Sequence, residues 1–323
     1  MKIVFQHNGI LPVKKYGGIE RILFWHMKEL VKLGHKVVLI GHKDSQVTSY
    51  GIELIPNPED ERWEKVVPKD TDLIHLTYNH NTDLDFPILT NIHGNGQPGE
   101  IFPLNTVFVS KKHALVHGSD QYVHNGIDLD EYPQFEARDA SKINELLFLA
   151  KASWKVKNLK QSIKIAKHSH KKLHIIGGRS LWPSRYTKSH GFMGGDEKNQ
   201  IMKTCDALLF PVRWHEPFGI AIIEAMALGL PVFGSSYGSL PELIHPEVGQ
   251  VFNHHKEIID HLNRGNFNYD SRAIRNYVEN NFNMNRVTQD YLRVYERMLA
   301  GENLNPKNPT WSEKLAPLEL LPF

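Results

Sequence analysis

The stretch FPVRWHEPFGIAIIEAMALGLPV, residues 210–232, decides the fold class. It follows the apolar run Ala207–Phe210, which predicts a buried strand. A loop then leads into Ile220–Leu228, which predicts a helix, and Pro231–Gly234 predicts the start of another strand. A strand, a helix and a second strand in succession form the unit of a parallel sheet. We therefore expect an α/β protein.

The same rhythm extends in both directions from this stretch. The predicted strands and helices are Lys2–Gln6, Ile19–Leu33, Val37–Ile40, Leu73–Leu76, Ile88–Ile92, Thr106–Val109, Leu146–Ala150, Leu159–Lys167 and Leu173–Ile176, with helices in Ser271–Leu299. Two α/β runs predict two Rossmann-like domains, over residues 1–140 and 141–300, with a boundary in Tyr132–Lys142. Residues 301–323 predict a tail that packs back on the first domain. Open parallel sheets bind ligands at the carboxyl ends of their strands, so we expect a cleft between the domains to hold the ligand.

Composition excludes several classes of protein. The 323 residues are 41% hydrophobic and 23% charged, which excludes collagen, coiled coils and disordered chains. The single cysteine, Cys205, excludes a disulfide framework and a cysteine-based zinc site. The sequence contains no apolar stretch long enough for a signal peptide or a membrane span. From these features we expect a cytoplasmic protein, with peripheral membrane association left open.

Charge differs between the two halves of the chain. Residues 1–140 carry 14 basic and 19 acidic side chains, and residues 141–323 carry 24 and 17. The basic second half indicates an anionic ligand, although an uneven solvated surface would give the same pattern. No basic run is interleaved with aromatic residues, so a nucleic-acid partner is not expected.

The loop before the predicted helix carries groups suited to a phosphorylated ligand. Pro217 suits the first turn of a helix, and Gly219 lets a ligand approach the backbone. The amides at residues 218–220 favour an anion. On one helix, Glu216 and Glu224 would lie on nearly the same side, about 12 Å apart along the axis. That suits two carboxylates holding hydroxyls of one long ligand and exceeds the roughly 5 Å of a retaining glycosidase pair. By themselves, a helix-start carboxylate and a surface residue would explain both glutamates.

The pattern of Glu, seven residues and Glu, with Pro-Phe-Gly after the first, resembles the signature of retaining GT-B glycosyltransferases of family 4. The resemblance continues through Glu224–Val232 and Gly238–Glu242. Other segments follow the family's order. Gly17 and Gly18 resemble its Gly-Gly loop, and Asn91–Gly94 resembles the position of its active-site histidine, here His93.

Two departures from the family pattern concern the lysine-rich loop after Leu146–Ala150. Lys151 stands where the family usually has arginine, and Ala150 where it has glycine. Lysine acts on phosphate as a point charge, whereas arginine forms a bidentate fork. The loop is also one residue longer than the corresponding loop of the family. Lys157 is therefore our choice for the family's phosphate-binding lysine, with Lys155 as the alternative.

Base recognition is assigned by the same resemblance to two strand ends. Gly178 and Arg179 follow the first, and Met193 lies at the second.

The resemblance implies a GT-B fold and transfer of a hexose from a UDP- or GDP-linked sugar to an acceptor hydroxyl, with retention of configuration. Lys151, Lys157 and the amides of Phe218, Gly219 and Ile220 would stabilise the diphosphate. Glu216 would hold the sugar and Glu224 the ribose. His93 would be a catalytic residue on the acceptor side. The loop of Gly17 and Gly18 would line the same side and let the backbone approach the donor phosphate or the acceptor. No metal and no further cofactor are implied, and the acceptor would be a carbohydrate or a lipid-linked molecule of bacterial polysaccharide or glycolipid synthesis.

Other readings stay open at this stage. They are a sugar-nucleotide epimerase or a phosphorylase on the same fold, and a non-catalytic module that binds nucleotide sugars. A nicotinamide-dependent dehydrogenase is disfavoured because the chain lacks G-x-G-x-x-G spacing. The nineteen histidines include no HExxH motif, so a zinc site is not expected.

Overall fold

The computed structural model of the chain describes residues 1–15, 17–59, 61–139, 141–180 and 184–323. The chain folds into two compact units. The first comprises Met1–Val13, Gly17–Ile127 and Met284–Leu315. The second comprises Asp128–Asn283 and Ala316–Phe323, with a short segment that begins at Lys14.

Twelve strands and nine α-helices are found in the described residues. The strands are β1 Lys2–His7, β2 Lys36–Gly41, β3 Glu53–Pro56, β4 Leu73–Leu76, β5 Ile88–Ile92, β6 Thr106–Phe108, β7 Glu145–Leu149, β8 Lys172–Ile176, β9 Thr187–Gly191, β10 Ala207–Phe210, β11 Val232–Ser235 and β12 Gly249–Phe252. The helices are α1 Gly18–Lys32, α2 Lys111–Val116, α3 Leu159–His168, α4 Gly195–Lys203, α5 Ile220–Ala227, α6 Leu240–Leu243, α7 His255–Arg264, α8 Ser271–Asn281 and α9 Met284–Leu299.

Each unit is built around one six-stranded parallel sheet. The strand orders are β3-β2-β1-β4-β5-β6 in the first unit and β12-β11-β10-β7-β8-β9 in the second. Central strands are apolar and buried because helices cover both faces of a parallel sheet; Ile3, Val4 and Phe5 of β1 have no exposed surface. The predicted pair of Rossmann-like domains is confirmed.

The strand order reverses direction once in each sheet. In the first sheet the chain runs outward from β1 in one direction and from β4 in the other, so the reversal lies between these neighbours. In the second sheet it lies between β7 and β10. At such switch points the loops that follow the two strands diverge and leave a crevice, which is where open α/β sheets bind ligands.

Helix α9 packs on α1 in the first unit through a buried polar network. His26 of α1 contacts the Oγ1 of Thr288 at 3.0 Å and the hydroxyl of Tyr295 at 2.8 Å. That hydroxyl also lies 2.7 Å from Nδ1 of His75. Burial lowers the pKa of His26 to about 3 and that of His75 well below its usual value, so both rings are neutral in the folded protein.

Several elements differ from the sequence-based expectations. The edge strands β3 and β12 and the helices α2, α4, α6 and α7 were not predicted. An edge strand is covered on one side only, so its sequence shows a weaker apolar run. Residues 284–299 were expected in the second domain, whereas α9 belongs to the first unit. The tail divides between the units after Leu315. The expected domain boundary in Tyr132–Lys142 lies inside the second unit, because the first unit's continuous stretch ends at Ile127 and the second begins at Asp128. Ala140, the expected end of the first domain, lies outside the described residues.

Candidate functional site

The loops that follow β7 and β10 meet at the switch point of the second sheet. Asn158 has a left-handed backbone, with φ of 59°, and its Nδ2 donates to the carbonyl of Pro211 at 2.9 Å. The amide of Arg213 donates to the carbonyl of Val156 at 2.8 Å. These two hydrogen bonds join the lysine-rich loop to the loop that carries Glu216.

A buried ion pair forms where these loops join. Nζ of Lys157 lies 2.6 Å from Oε2 of Glu216, and the two side chains are 11% and 7% exposed. The indole of Trp214 donates to the same oxygen at 2.6 Å. The ammonium also lies 5.0 Å from the ring centre of Trp214 and 5.3 Å from that of Phe210. The carboxylate and the ammonium are therefore held in fixed positions relative to each other.

The other two lysines of the loop are less constrained than Lys157. Lys151 is half-buried, and its ammonium lies 5.2 Å from the ring centre of Trp154. Lys155 is exposed. Of the two lysines considered for the phosphate-binding position, Lys157 is the one that contacts Glu216.

The ion pair lies beside the N terminus of α5. This helix starts at Ile220 on Gly219, whose φ is 84°, and no side chain caps it. A Cβ on Gly219 would lie 3.4 Å from Cγ of Glu216. Pro217 and Glu216 precede the helix, so the prediction that Pro217 occupies its first turn and that both glutamates lie on one helix is wrong. The helix does not begin earlier because Gly219 has a left-handed backbone, which cannot be part of a right-handed helix. The carbonyl of the preceding Phe218 accepts from Oγ of Ser239 at 2.7 Å.

A glycine of a neighbouring loop sets the backbone of Glu216. Gly238 has a φ of 64°, and a Cβ there would lie 2.2 Å from the amide nitrogen of Glu216. The carbonyl of Glu216 accepts from the amide of Ser239 at 3.0 Å. Only glycine allows this close approach.

Glu224 lies in the second turn of α5 and is buried. Its Oε1 accepts from Nζ of Lys198 at 2.5 Å and from the hydroxyl of Tyr132 at 2.8 Å. The Lys198 and Glu224 side chains are only 4% and 5% exposed. The sequence reasoning missed Lys198, Tyr132 and Trp214. The first two lie 26 and 92 positions from Glu224, so no local spacing connects them to it.

The predicted base-binding residues lie at the ends of β8 and β9. Gly178 has a φ of 145°, and a Cβ there would lie 2.5 Å from Cβ of Ala152. This glycine therefore lets the loop after β8 pack against the lysine-rich loop. Arg179 is exposed and Met193 is half-buried.

The remaining predicted residues belong to the first unit. His93 follows β5 and is half-buried, and its Nδ1 has no hydrogen-bond partner among the described residues. Burial lowers the pKa of His93 to about 4, so the ring is neutral near pH 7. Gly17 precedes α1 with a φ of 152°, and Gly18 is the first residue of that helix.

Two further features concern metal ions and membranes. The described residues contain no cluster of three or more His, Cys, Asp or Glu side chains arranged to hold a metal ion. None of the helices in this part of the chain combines the length and apolar character needed to cross a membrane.

Known proteins match both the sequence and the fold. Residues 133–264 match the family model described as Glycosyl transferases group 1. A stretch of 62 residues is 44% identical to an uncharacterized glycosyltransferase of Methanocaldococcus jannaschii, and it covers 19% of this chain and 16% of that protein.

Solved structures match over nearly the whole chain. AviGT4, a glycosyltransferase involved in avilamycin A biosynthesis, has a TM-score of 0.75 at 21% identity, covering 93% of this chain and 98% of its own. Anabaena HepE, crystallised with UDP-glucose, has a TM-score of 0.65 at 16% identity, covering 94% and 100%. At these identities the likeness shows a shared fold, which is GT-B. The group 1 domain and the GT-B fold together support a glycosyltransferase.

Proposed function

We propose that the chain transfers a hexose from a nucleoside diphosphate sugar to an acceptor hydroxyl, with retention of anomeric configuration. The observation that carries the proposal is the ion pair of Lys157 and Glu216 beside the uncapped N terminus of α5. It places a cation, a carboxylate and helix amides at one switch point, where a ligand with an anionic half and a hydroxyl-rich half would bind.

The diphosphate is the leaving group, and stabilising its developing charge is the largest catalytic requirement. Lys157 and Lys151 supply positive charge, and the amides of Gly219 and Ile220 add the field of the helix N terminus. Because these groups belong to the protein itself, we propose that stabilisation of the diphosphate needs no metal ion and no further cofactor. Lys155 is exposed, and we propose that its ammonium turns towards the phosphates after the donor has bound.

Glu216 is the proposed partner of the hexose hydroxyls. Its carboxylate already accepts two charge-assisted or polar hydrogen bonds, from Lys157 and Trp214. Ligand phosphate would compete for Lys157, and the released carboxylate oxygen would accept from the sugar. The same lysine therefore links binding of the phosphate to exposure of the group that binds the sugar.

The remaining proposed contacts with the donor are assigned by where each residue lies in the second unit. We propose that Glu224 accepts from the ribose hydroxyls, with its direction set by Lys198 and Tyr132. Gly178, Arg179 and Met193 would present backbone and side-chain groups to the base. His93, Gly17 and Gly18, in the first unit, would line the acceptor. A neutral His93 can either accept a hydrogen bond from a hydroxyl or donate one to it.

A uridine or guanosine diphosphate hexose is the donor that we propose. The complex of HepE with UDP-glucose supports this choice by analogy of fold. For the acceptor we propose a carbohydrate or a lipid-linked carbohydrate of bacterial polysaccharide or glycolipid synthesis.

Thermal unfolding with a panel of nucleotides tests the donor site. UDP, GDP, ADP and their hexose conjugates are compared, with NAD as the control. A ligand at 100 times its Kd should add about 2.7 kcal/mol to the free energy of unfolding, which raises Tm by several degrees. A shift with one nucleotide family supports the proposal and identifies the donor. A shift with NAD alone contradicts it.

Product analysis separates transfer from the other activities on this fold. Incubation with the donor and a sugar panel is followed by proton NMR of the anomeric signals. A new glycoside with the donor's configuration supports retaining transfer. An isomerised nucleotide sugar indicates an epimerase, and a donor that binds but is never consumed indicates a binding module.

A further inference from the structure

We propose that His113 and His117 of α2 are positioning residues for His93, because their rings, in opposite tautomers, hold the loop that carries it. The proposal rests on the proposed function, in which His93 acts on the acceptor side. All of the contacts concerned lie within the first unit, so they can be observed without an acceptor and without an activity assay.

Helix α2 and the His93 loop, which comprises residues 93–96, meet at one end of the first sheet. Strands β5 and β6 are parallel neighbours, and Ile92 pairs with Phe108. His93 directly follows β5, and α2 begins shortly after β6. Because parallel strands end on the same side of a sheet, the segments that follow them lie side by side. Side chains of α2 can therefore reach the backbone of the loop.

His113 binds the loop through Nε2, which lies 2.9 Å from the carbonyl oxygen of Gly94. A carbonyl oxygen can only accept, so Nε2 carries the proton. The other ring nitrogen, Nδ1, accepts from the amide of Val109 at 3.4 Å. Both contacts therefore require the same tautomer of His113, with the proton on Nε2.

His117 binds the same loop in the opposite tautomer. Its Nε2 accepts from the amide of Gly96 at 3.1 Å. Its Nδ1 lies 2.8 Å from the carbonyl oxygen of His113, so Nδ1 carries the proton and donates it. The two rings thus fasten a carbonyl and an amide of the His93 loop to a single helix.

Aromatic packing fixes the planes of both rings. The ring of His117 stacks on Phe108 with 4.4 Å between the centres, and that of His113 lies at 81° to Phe108 with 5.1 Å between the centres. Burial lowers the pKa of His117 to about 4 and that of His113 well below its usual value, so both rings are neutral at pH 7. A neutral ring has one donor and one acceptor nitrogen, as these contacts require.

Helix α2 is only six residues long, and contacts at both ends keep it in place. The side chain of Ser110 caps its first turn. At the other end, the carbonyl of Val116 accepts from the amide of Ser312 at 2.8 Å. The carbonyl of His117 accepts from the amide of Thr310 at 2.9 Å. Because carbonyls at the end of a helix have no partner within it, these bonds from the tail hold α2 against the sheet.

The position of His93 depends on this arrangement. Among the described residues, Nδ1 of His93 has no hydrogen-bond partner, so this nitrogen does not anchor the ring. The backbone that follows His93 is instead fastened at Gly94 and Gly96. A shift of the loop would move the ring relative to the acceptor hydroxyl, and a misplacement of about 1 Å can lower a rate about 10²-fold.

Nitrogen-15 NMR of the full chain, labelled in the histidine rings, tests the geometry. At pH 7, His113 should be protonated on Nε2 and His117 on Nδ1, with each signal assigned from its loss in a single Gln variant. The signal of His93 should move in His113→Leu and in His117→Leu. It should stay in place in the control His261→Leu, which replaces a half-buried histidine of α7 that packs against Phe233.

Steady-state transfer assays test the consequence for catalysis. His113→Leu should lower kcat by about 10²-fold and leave the donor KM and the UDP-induced rise in Tm unchanged. His113→Gln should recover a large part of kcat, because its side-chain amide can still donate to the carbonyl of Gly94. The control His261→Leu should keep the kcat of the wild type. A purely structural loss would not separate kcat from KM in this way.

Three results would overturn the proposal. They are the other tautomer at either histidine, a His93 signal that stays in place in both leucine variants, and full kcat in His113→Leu. The tautomers are read in the wild-type chain, so that result does not depend on whether a variant folds. The expected tautomers and a shifted His93 signal, in a chain that transfers no sugar, would support the positioning of His93 and contradict the proposed function.

Discussion

Lys157 and Glu216 lie 59 positions apart in the chain, and their Nζ and Oε2 atoms are 2.6 Å apart. Lys157 follows β7 and Glu216 follows β10, and these strands are neighbours only because the sheet reverses its order between them. A parallel sheet brings loops together by topology rather than by sequence distance. The contact between the two side chains therefore lies at the switch point of the second sheet.

The first prediction concerns this pair. Glu216→Gln should lower kcat by about 10²–10³-fold, because it removes a charged partner of the transition state. Lys157→Met should lower kcat and also weaken the UDP-induced rise in Tm. The double variant should lose less than the sum of the two single losses, since the residues contact each other. Steady-state transfer assays give all three values, and full activity in Glu216→Gln would contradict the assigned role.

The second prediction concerns Lys151, which stands where the resembling family has arginine. Lys151→Met should reduce the Tm shift with UDP, whereas Lys160→Met, an exposed lysine of α3, should leave it unchanged. Lys151→Arg should keep donor binding or strengthen it, because a guanidinium can grip two phosphate oxygens. If Lys151→Met binds UDP as tightly as the control variant, Lys151 does not contact the diphosphate.

The third prediction uses two glycines with similar backbones. Gly238 and Gly118 have φ of 64° and 69°, but only Gly238 has backbone atoms within 4 Å of the position of a Cβ. Gly118→Ala should cost about 1 kcal/mol of stability from left-handed strain alone. Gly238→Ala should cost more and should also lower transfer activity, because it displaces the backbone of Glu216. Urea unfolding and activity assays on both variants separate strain from displacement.

The fourth prediction concerns the second buried pair. Lys198→Met should lower the free energy of unfolding by about 3–5 kcal/mol, because it removes the buried ammonium that pairs with the buried Glu224 carboxylate. Adding Glu224→Gln should restore a large part of this loss, since the amide carries no charge. Guanidinium unfolding of the single and double variants measures both changes. No recovery in the double variant would show that the pair is not the source of the cost.

The fifth prediction is a dependence of stability on pH. His26 and His75 stay neutral in the folded chain, whereas in the unfolded chain they titrate near pH 6.5. Below that pH the unfolded state takes up protons that the folded state does not. Stability should therefore be complete above pH 6.5 and fall towards pH 3, by about 1.4 kcal/mol per pH unit for each such histidine.

Replacing one of these histidines tests the origin of the pH dependence. His26→Gln retains a polar side chain against Thr288 and Tyr295 but cannot titrate. The slope of unfolding free energy against pH between 4 and 6 should be smaller in the variant than in the wild type. Equal slopes would assign the pH dependence to other groups.

Much of the architecture follows from local patterns. The strands Leu73–Leu76, Ile88–Ile92 and Ala207–Phe210 have the predicted bounds, because each is a buried apolar run. The first helix was expected to end at Leu33 and ends at Lys32, just before Gly34 with its φ of 84°. The edge strand Glu53–Pro56 escaped prediction, since an edge position is covered on one side only and needs less apolar character.

The sequence by itself determined the α/β rhythm, the two sheets and the loop that carries Glu216 and Gly219. The rhythm and the loop depend on residues that are close together in the chain, and two successive runs of the rhythm indicate two sheets. Only the tertiary structure decided that α9 joins the first unit, that Lys157 contacts Glu216 and that Lys198 contacts Glu224. It also brought His113 and His117 to the backbone of Gly94 and Gly96. Strand order brings these residues together, and strand order is set by the packing of the whole sheet rather than by any single segment.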